Sequence, residues 1–522
     1  MRKARLFSGV FPVLLLLAWG CAPSPAPEAP APAAAVEVRP LDAAALSAIA
    51  EERITSERVF DHIAFLASDE MRGRDTPSPE LEIAAEYLAD RFRDLGLEPA
   101  GDEGTFIQSW PFDQLTLNAR ESTARARVGD QEFSWAYSRD YFALPGPDAG
   151  VEGSVVYASS PSALMEGLPP EAQGRILLVS LPDGLGPDFG IVLQVAMQHR
   201  ATGVAMIMDE ETDESDIFQI AGAVEGGAIQ TMPFPIIGLS LEKGEELLTR
   251  AGVEPRGARD PPELLENVTL TYRTVFDQET HHVPNVLALL PGSDPELSDT
   301  YVVLTAHFDH VGVGPADERG DSIYNGADDN ASGTSGVLKA AAAFAALPVA
   351  PARSTLFLMV SGEEKGLLGS QYYAGSPTVP QGSMIANINL DMISRNHPDT
   401  VYAIGEEFTS LGELVREVAR EHPELGLVPA PDPEPEEQAF LRSDHFSFVQ
   451  HGIPALMLTT WLHDDYHVPS DTPDRTDPEK AARVARLAFL LAHRIAEDPA
   501  EPTWTAEGRE LLEGLGIQVG AR

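Results

Sequence analysis

Tyr301-Val-Val-Leu-Thr-Ala306, followed at once by His307-Phe-Asp309-His310, is the stretch of sequence that decides the fold. An apolar run of this length, with many β-branched residues, predicts a strand that is buried on both faces. Similar runs occur further along the chain and alternate with helical patterns. The alternation predicts an α/β fold with a mostly parallel central sheet flanked by helices. The other predicted strands are Ser354–Val360, Ile385–Leu390 and Ile453–Thr459, and the predicted helices are 336–347, 411–421 and 479–497.

Polar side chains follow all four predicted strands. Because functional crevices in α/β proteins lie at the carboxyl ends of the strands, we expect these side chains to lie together. Imidazole and carboxylate groups are the ligands that zinc prefers, and a shared carboxylate can bridge two ions. The pattern therefore predicts a two-metal hydrolytic site. The segments concerned are His307–His310, Ser361–Lys365, Asp391–Ile393 and Trp461–His467, together with Gly326–Gly333 at the start of a helix.

Each segment has a simpler interpretation when it is taken alone. His307 can be a hydrogen-bonded core histidine, Asp328-Asp329-Asn330 can cap a helix, and Glu363-Glu364 can be a solvated pair. The order of the segments and their common position at strand ends favour the metal site over these separate explanations.

Six motifs in this order resemble the M28 family of zinc peptidases, the aminopeptidase and glutamate carboxypeptidase group. They are His-x-Asp, Gly-Ala-Asp-Asp-Asn-Ala-Ser-Gly, Ser-Gly-Glu-Glu-x-Gly-Leu-x-Gly-Ser, Asn-Leu-Asp-Met-Ile, Ser-Asp-His and Tyr-His-x-Pro-x-Asp-Thr. The resemblance implies two zinc ions per chain. It assigns one ion to His307 and Asp391 and the other to Glu364 and His467, with Asp329 as the bridge.

The resemblance also implies roles for residues beside the ligands. Glu363 would be the general acid/base that serves a hydroxide bridging the metals. Asp309 would hold the second ring nitrogen of His307, and the Asp329–Asn330 peptide bond would be cis. Tyr466 is a candidate to stabilise the oxyanion or to shape the pocket, as is His445, and both can equally be packing residues.

The distribution of sequence patterns along the chain predicts a peptidase domain that is interrupted by an insert. Residues 41–125 and 274–498 carry the helical patterns and the motifs, whereas 126–273 shows short apolar runs with turn residues between them. We expect this middle part to be a small β-rich inserted domain, and it resembles a protease-associated (PA) domain. Residues 499–522 are predicted to be a C-terminal tail.

The first residues are typical of an exported protein. Arg2, Lys3 and Arg5 precede an apolar stretch that ends before Cys21, so 1–20 is predicted to be a signal peptide. The residues around Cys21 resemble a bacterial lipobox, which predicts a lipid anchor on that cysteine at the cell envelope, and a plain secretory signal is the alternative. The Pro/Ala-rich stretch 21–40 is predicted to be an extended tether.

Composition excludes some classes of function. The 36 Lys and Arg residues against 81 Asp and Glu residues give a formal net charge of −45, which repels nucleic acid. The sequence contains neither the Gly-x-Ser-x-Gly nucleophile elbow nor the His-Glu-x-x-His motif. The serine hydrolases and the zinc peptidases that use these motifs therefore lack their signature here.

The sequence therefore predicts a zinc exopeptidase, with an aminopeptidase acting on peptide substrates as the first choice. A glutamate-carboxypeptidase-like enzyme is the first alternative, because Arg395 and Arg442 stand beside motif residues and arginine binds carboxylates. A glutaminyl-cyclase-like enzyme, which would need one zinc ion, and a surface protein without catalytic activity are weaker alternatives.

Overall fold

The computed structural model describes residues 41–137, 139–165, 167–181, 189–208, 232, 234–254 and 257–517. The predicted signal peptide, Cys21 and the Pro/Ala tether lie outside these residues. Among the described residues, no helix is long and apolar enough to cross a lipid bilayer.

Three helices come first, and the residue before each accepts a hydrogen bond from a backbone N–H of the first turn. Before the third helix, Ser78 caps the N–H of Leu81, and Pro79 occupies the first turn, where its missing N–H costs little. The helices are Ala43–Arg53, Ser56–Leu66 and Pro79–Asp94, followed by strands β1 (Glu98–Pro99) and β2 (Ile107–Leu117).

The middle of the chain forms a separate mixed sheet in the order β4-β3-β10-β6-β7-β8-β9-β5, in which β6 to β9 are parallel. This confirms a β-rich insert, whose sheet begins slightly before the predicted boundary. Its strands are β3 (Thr123–Val128), β4 (Gln131–Trp135), β5 (Tyr141–Leu144), β6 (Gly150–Ala158), β7 (Ile176–Leu181), β8 (Gly203–Met208), β9 (Ile236–Leu239) and β10 (Glu263–Arg273), and its helices are Pro161–Met165, Phe189–Gln198 and Leu241–Ala251.

The last part of the chain contributes the remaining strands of the sheet to which β1 and β2 belong. Helices Gly333–Ala345 and Pro478–Glu497 pack on one face with the three N-terminal helices, and Leu368–Gly375 and His445–Val449 pack on the other. The strands are β11 (Phe276–Leu290), β12 (Tyr301–His307), β13 (Ser354–Val360), β14 (Met384–Leu390), β15 (Thr400–Ile404), β16 (Val428–Ala430) and β17 (Ala455–Thr459), and the remaining helices are Leu411–Glu421 and Ala506–Gly514.

The nine strands of this sheet combine a parallel centre with antiparallel edges. The central strands β13, β12, β14 and β17 are mutually parallel and almost wholly buried, as the apolar runs predicted. Strand β11 pairs antiparallel with β13, and β15 pairs antiparallel with β17. The sheet is therefore parallel at its centre and mixed as a whole, because antiparallel neighbours need no crossover helix.

A long ribbon of β2 and β11 joins the two sheets. The pairing runs without a break from Ile107 opposite Val286 to Leu117 opposite Phe276. Just beyond it, the N–H of Asn118 donates to the carbonyl of Val275 at 2.8 Å. The chain therefore enters and leaves the insert at neighbouring positions.

The predicted C-terminal tail is ordered structure as far as residue 517. Trp504 is 7% exposed, and its indole N–H donates to the carbonyl of Gly452 at 3.2 Å. Leu512, in the last helix, is also buried in the core beneath the sheet. These two apolar anchors hold the segment against the body of the fold.

Candidate metal centre

The four parallel strands deliver the predicted residues to one edge of the sheet. His307 is the last residue of β12, and Asp391 follows the last residue of β14. The turn after β13 carries Glu363 and Glu364, and the loop after β17 carries His467. Asp329 comes from the turn that leads into helix Gly333–Ala345, and its peptide bond to Asn330 is cis, as the resemblance implied.

The five predicted metal ligands fall into two groups that meet at one carboxylate. Asp329 Oδ1 lies 3.3 Å from His307 Nε2, and Asp329 Oδ2 lies 3.0 Å from His467 Nε2. On the first side, Asp391 Oδ1 is 3.4 Å from the same atom of His307. On the second side, Glu364 Oε2 is 3.1 Å from His467 Nε2. Asp329 thus offers one oxygen to each group.

The donor set suits zinc. Asp391 Oδ1 is buried and has no hydrogen-bond partner, which is unusual for a polar atom unless it binds an ion. Imidazole nitrogen and carboxylate oxygen are the ligands that zinc accepts. The fit rests on these atoms and on their convergence.

The neighbouring glutamates have opposite electrostatic surroundings. Burial raises the pKa of Glu363 well above its usual value, and the carboxylates of Glu364 and Asp391 raise it further. Burial acts on Glu364 in the same direction, but His467 and His310 outweigh it and lower the pKa of Glu364 to about 2. Two carboxylates with diverging pKa values are suited to different tasks, one as a proton acceptor and the other as a permanent anion.

Asp309 is buried beside His307, but its contact differs from the expected one. His307 Nδ1 is 3.3 Å from the backbone carbonyl of Asp309 and 3.7 Å from its carboxylate. The carboxylate instead accepts hydrogen bonds from the hydroxyl of Thr76 at 3.0 Å and from the N–H of Gly362 at 2.8 Å. The side chain of Asp309 therefore fixes the turn that carries Glu363, while its main chain holds the imidazole.

Tyr466 lines the same cleft as Glu363. Its ring stacks on His467 with the centroids 3.8 Å apart. Burial raises the pKa of Tyr466 well above its usual value, and the carboxylates of Asp329 and Glu364 raise it further. The phenol is therefore protonated at neutral pH and can donate a hydrogen bond into the cleft.

His445 does not reach the cleft. Its ring is fully buried and packs edge-on against Phe440, with the centroids 5.2 Å apart. Burial lowers the pKa of His445 to about 3, so the ring is neutral. Of the two candidates for oxyanion contact, Tyr466 is therefore the one that lines the cleft.

Comparison with protein families identifies the motif-bearing part of the chain. The family described as "Peptidase family M28" matches residues 285–492. This segment is an M28 peptidase domain. Outside it, the PA assignment of the insert stays a prediction.

Curated relatives of the M28 domain include fungal enzymes. A "Probable leucine aminopeptidase" of Trichophyton verrucosum is 29% identical over 223 residues, which are 41% of this chain and 58% of that protein. The "probable leucine aminopeptidase 2" of Aspergillus oryzae is 26% identical over 344 residues, which are 63% of this chain and 59% of that protein. The chain thus spans less than two thirds of the length of these relatives.

Solved structures share the fold beyond the M28 domain. An aminopeptidase from Aneurinibacillus sp. strain AM-1 superimposes with a TM-score of 0.58 at 21% identity, covering 88% of this chain and 97% of that one. The zinc aminopeptidase BSAP of Bacillus subtilis gives a TM-score of 0.53 at 17% identity, covering 86% and 97%. Coverage this high includes much of the insert.

His310, which sequence reasoning did not assign, lies in the second ligand group of the M28 domain. Its Nδ1–H donates to Glu364 Oε1 at 2.7 Å, and its ring is fully buried. It belongs to the same short motif as His307, so its position after the strand was a usable signal. The contact orients Glu364 and leaves the other oxygen of that carboxylate to face His467.

Arg74 is a second residue that sequence reasoning did not assign, and it comes from outside the M28 domain. Its buried guanidinium donates to the carbonyls of Phe308 at 2.8 Å, Asn325 at 2.8 Å and Gly326 at 3.1 Å. It therefore ties the loop after His307 to the loop before Asp329. Burial lowers its pKa to about 10, so it stays charged at neutral pH.

Asp471, part of the last motif, supports the bridging residue. Its Oδ2 accepts the backbone N–H groups of Asp328 at 3.0 Å and of Asp329 at 3.1 Å. Asp471 thus holds the turn that carries the shared carboxylate of Asp329.

The two arginines beside the motifs have different environments. Arg395 is largely buried and pairs with Asp465, which Arg475 also contacts at 2.6 Å. Arg442 lines the cleft, which has an empty volume of about 530 Å³. Only Arg442 is available to a ligand in this cleft.

Proposed function

We propose that this chain is a di-zinc aminopeptidase that removes residues from the N-termini of peptides. The observation that carries the proposal is Glu363, a largely buried carboxyl group with a raised pKa, in the same cleft as Asp329, whose two oxygens face His307 and His467. A general base needs a pKa near the working pH, and a bridged metal pair needs a shared carboxylate.

The ligands would be divided as the resemblance implies. His307 and Asp391 would hold one ion, Glu364 and His467 would hold the other, and Asp329 would serve both. When bound, two zinc ions lower the pKa of a water molecule towards about 7 and polarise the carbonyl of the scissile bond.

The side chains of the protein perform the proton transfers. Glu363 Oε2, which lies 3.9 Å from His307 Nε2, takes the proton of the attacking water and then gives it to the leaving amine. Tyr466, protonated and facing the same cleft, donates a hydrogen bond to the developing oxyanion. Asp309 and His310 keep Glu363 and Glu364 in place.

The acidic wall of the cleft favours the N-terminal end of a peptide. Asp329, Glu363 and Asp391 all line it, and a free α-amino group brings a positive charge to that wall. The names of the fungal relatives support the same choice.

Metal analysis combined with end-group assays tests the proposal. We expect about two zinc ions per chain, cleavage of short peptides from a free N-terminus, and suppression of cleavage by N-acetylation. Full activity with a single zinc ion would contradict the two-metal site. Internal cleavage of an acetylated peptide would contradict the exopeptidase assignment.

A carboxypeptidase of the same family is the second candidate, because Arg442 faces the cleft. Release of the C-terminal residue from acetylated peptides would favour it. The two groups of ligand atoms speak against a glutaminyl-cyclase-like enzyme, which would need a single zinc ion.

We also propose that the protein is exported and anchored to the envelope through lipid on Cys21. Two acyl chains give stable membrane attachment. Mass spectrometry of the mature N-terminus tests this, and an unmodified Cys21 on a protein found free of membranes would contradict it.

A further inference from the structure

Arg442 is the one Lys or Arg residue among the described residues that line the cleft. The wall around it is mostly apolar, with Met392, Met457 and Trp461 among its side chains. Its chain neighbour Ser443 donates to Asp391 Oδ2 at 2.6 Å, so Arg442 stands next to a residue that contacts a proposed metal ligand. Arg442 therefore lines the same cleft as Glu363 and Tyr466.

The guanidinium has little to hold it within the protein. Its ion-pair partner in the described part of the chain is Glu437 at 3.5 Å, and the two side chains are 48% and 52% exposed. An exposed pair of this kind contributes little and exchanges readily with solvent. Arg395, by contrast, is 17% exposed and lies against Asp465 and Asp471. Arg395 has a structural partner, whereas Arg442 is free to pair with a ligand.

We infer that Arg442 binds a carboxylate of the substrate. The five N–H donors of a guanidinium match a carboxylate in a two-pronged hydrogen bond, and an apolar surround strengthens the pair. The acidic groups of the cleft are the carboxylates of Asp329, Glu363 and Asp391, so Arg442 supplies the positive charge for a substrate anion. The inference rests on the proposed function and specifies the substrate class as carboxylate-bearing peptides.

Two parts of a short peptide carry this group. One is the side chain of an N-terminal Glu or Asp residue, which would lie against the apolar wall beside the scissile bond. The other is the C-terminal carboxylate of a peptide short enough to end within the cleft. Both use the same contact, and matched substrates separate them.

The test compares zinc-loaded wild type with Arg442→Met and Arg442→Gln. Arg420→Met is the matched control, because Arg420 is 66% exposed on helix Leu411–Glu421, away from the cleft. The first substrate pair is the p-nitroanilide of Glu against that of Gln. The second pair is Leu-Gly-Gly as free acid against its amide. Each pair differs only in a carboxylate.

We expect both Arg442 variants to lower one of the two ratios of kcat/KM, acid over neutral, by about 10–100-fold, the loss typical of a hydrogen bond to a charged group. The loss should appear mainly in KM, and the control should keep both ratios. A fall in the Glu/Gln ratio identifies the acidic side chain, and a fall in the acid/amide ratio identifies the C-terminus.

Changes of less than about threefold in both ratios would overturn the inference, since a charged hydrogen bond is worth more than that. If the zinc-loaded wild type cleaves none of the four substrates, the proposed function fails instead. Equilibrium binding of the two members of each uncleaved pair to wild type and to Arg442→Met then decides the inference separately. A preference for the acid of either pair that the variant lacks supports it, and equal binding within both pairs overturns it.

Discussion

The two sheets of this chain share an architecture but differ at the ends of their strands. In the insert, β6 ends before Ser159-Ser160 and β9 ends before Ser240. Ser160 and Ser240 accept N–H groups at the start of the helices that follow, from Ala163 at 3.2 Å and from Lys243 at 3.4 Å. In the peptidase sheet, the ends of the parallel strands and the segments after them carry imidazoles and carboxylates.

This difference shows that the fold supplies the location of a site and the residues after the strands supply its chemistry. Both groups of possible metal ligands in the described residues belong to the peptidase sheet, and neither includes a residue of the insert. Changes at strand ends of the peptidase sheet should therefore act on metal and turnover, whereas changes in the insert should act on stability.

The largest effect is expected for Glu363→Gln. The substitution removes the proton acceptor and keeps all five proposed ligands, so kcat should fall by about 10²–10⁴ while zinc content stays constant. Glu242→Gln, on an exposed residue of the insert, is the matched control and should leave kcat unchanged. If zinc disappears together with activity, Glu363 is a metal ligand and the roles of the two glutamates are exchanged.

A smaller effect is expected for His310→Leu, which removes the donor to Glu364 Oε1. Loss of such a supporting contact weakens metal affinity by about 10–100-fold. Competition with a chelator measures it for each zinc ion, and one of the two should be affected more. His310→Asn places an amide donor near the position of Nδ1 and should retain most of the affinity. Equal affinities in all three proteins would contradict the positioning role.

The smallest effect on turnover is expected for Tyr272→Phe in the insert. The buried hydroxyl lies 3.0 Å from the carbonyl of Val204 and 3.2 Å from that of Pro235. Its loss removes a buried hydrogen bond and should lower the free energy of unfolding by about 0.5–1.5 kcal/mol. Denaturant unfolding and kcat are measured side by side. A change in kcat without a change in stability would show that the insert acts on the site.

The sequence predicts the site well where the functional residues stand at the end of a strand or directly after it in sequence. His307 and Asp391 stand at or directly after strand ends, so their positions follow from the parallel sheet alone. The convergence of the five proposed ligands agrees with that prediction. The edge strands β15 and β16 were missed because they are short and only partly apolar.

Contacts between residues that are far apart in sequence could not be predicted in this way. Three of the bonds of Arg74 span 234 to 252 residues, and no local pattern marks it as a partner of the loops around His307 and Asp329. For Asp309, the resemblance gave a residue whose carbonyl and carboxylate lie 3.3 Å and 3.7 Å from His307 Nδ1. Two residues beyond a strand, the turn of the backbone decides whether a carbonyl or a carboxylate faces the imidazole.

The position of Arg74 has a consequence for the order in which the molecule is built. A chain synthesised from its N-terminus completes the last strand of the insert, β10, at Arg273, before any of the proposed zinc ligands exists. The insert can therefore form its own sheet early. The guanidinium of Arg74 must wait for the carbonyls of Phe308, Asn325 and Gly326, which arrive more than 200 residues later. Because contacts between distant segments form slowly, the metal centre is expected to be among the last parts of a nascent molecule to take shape.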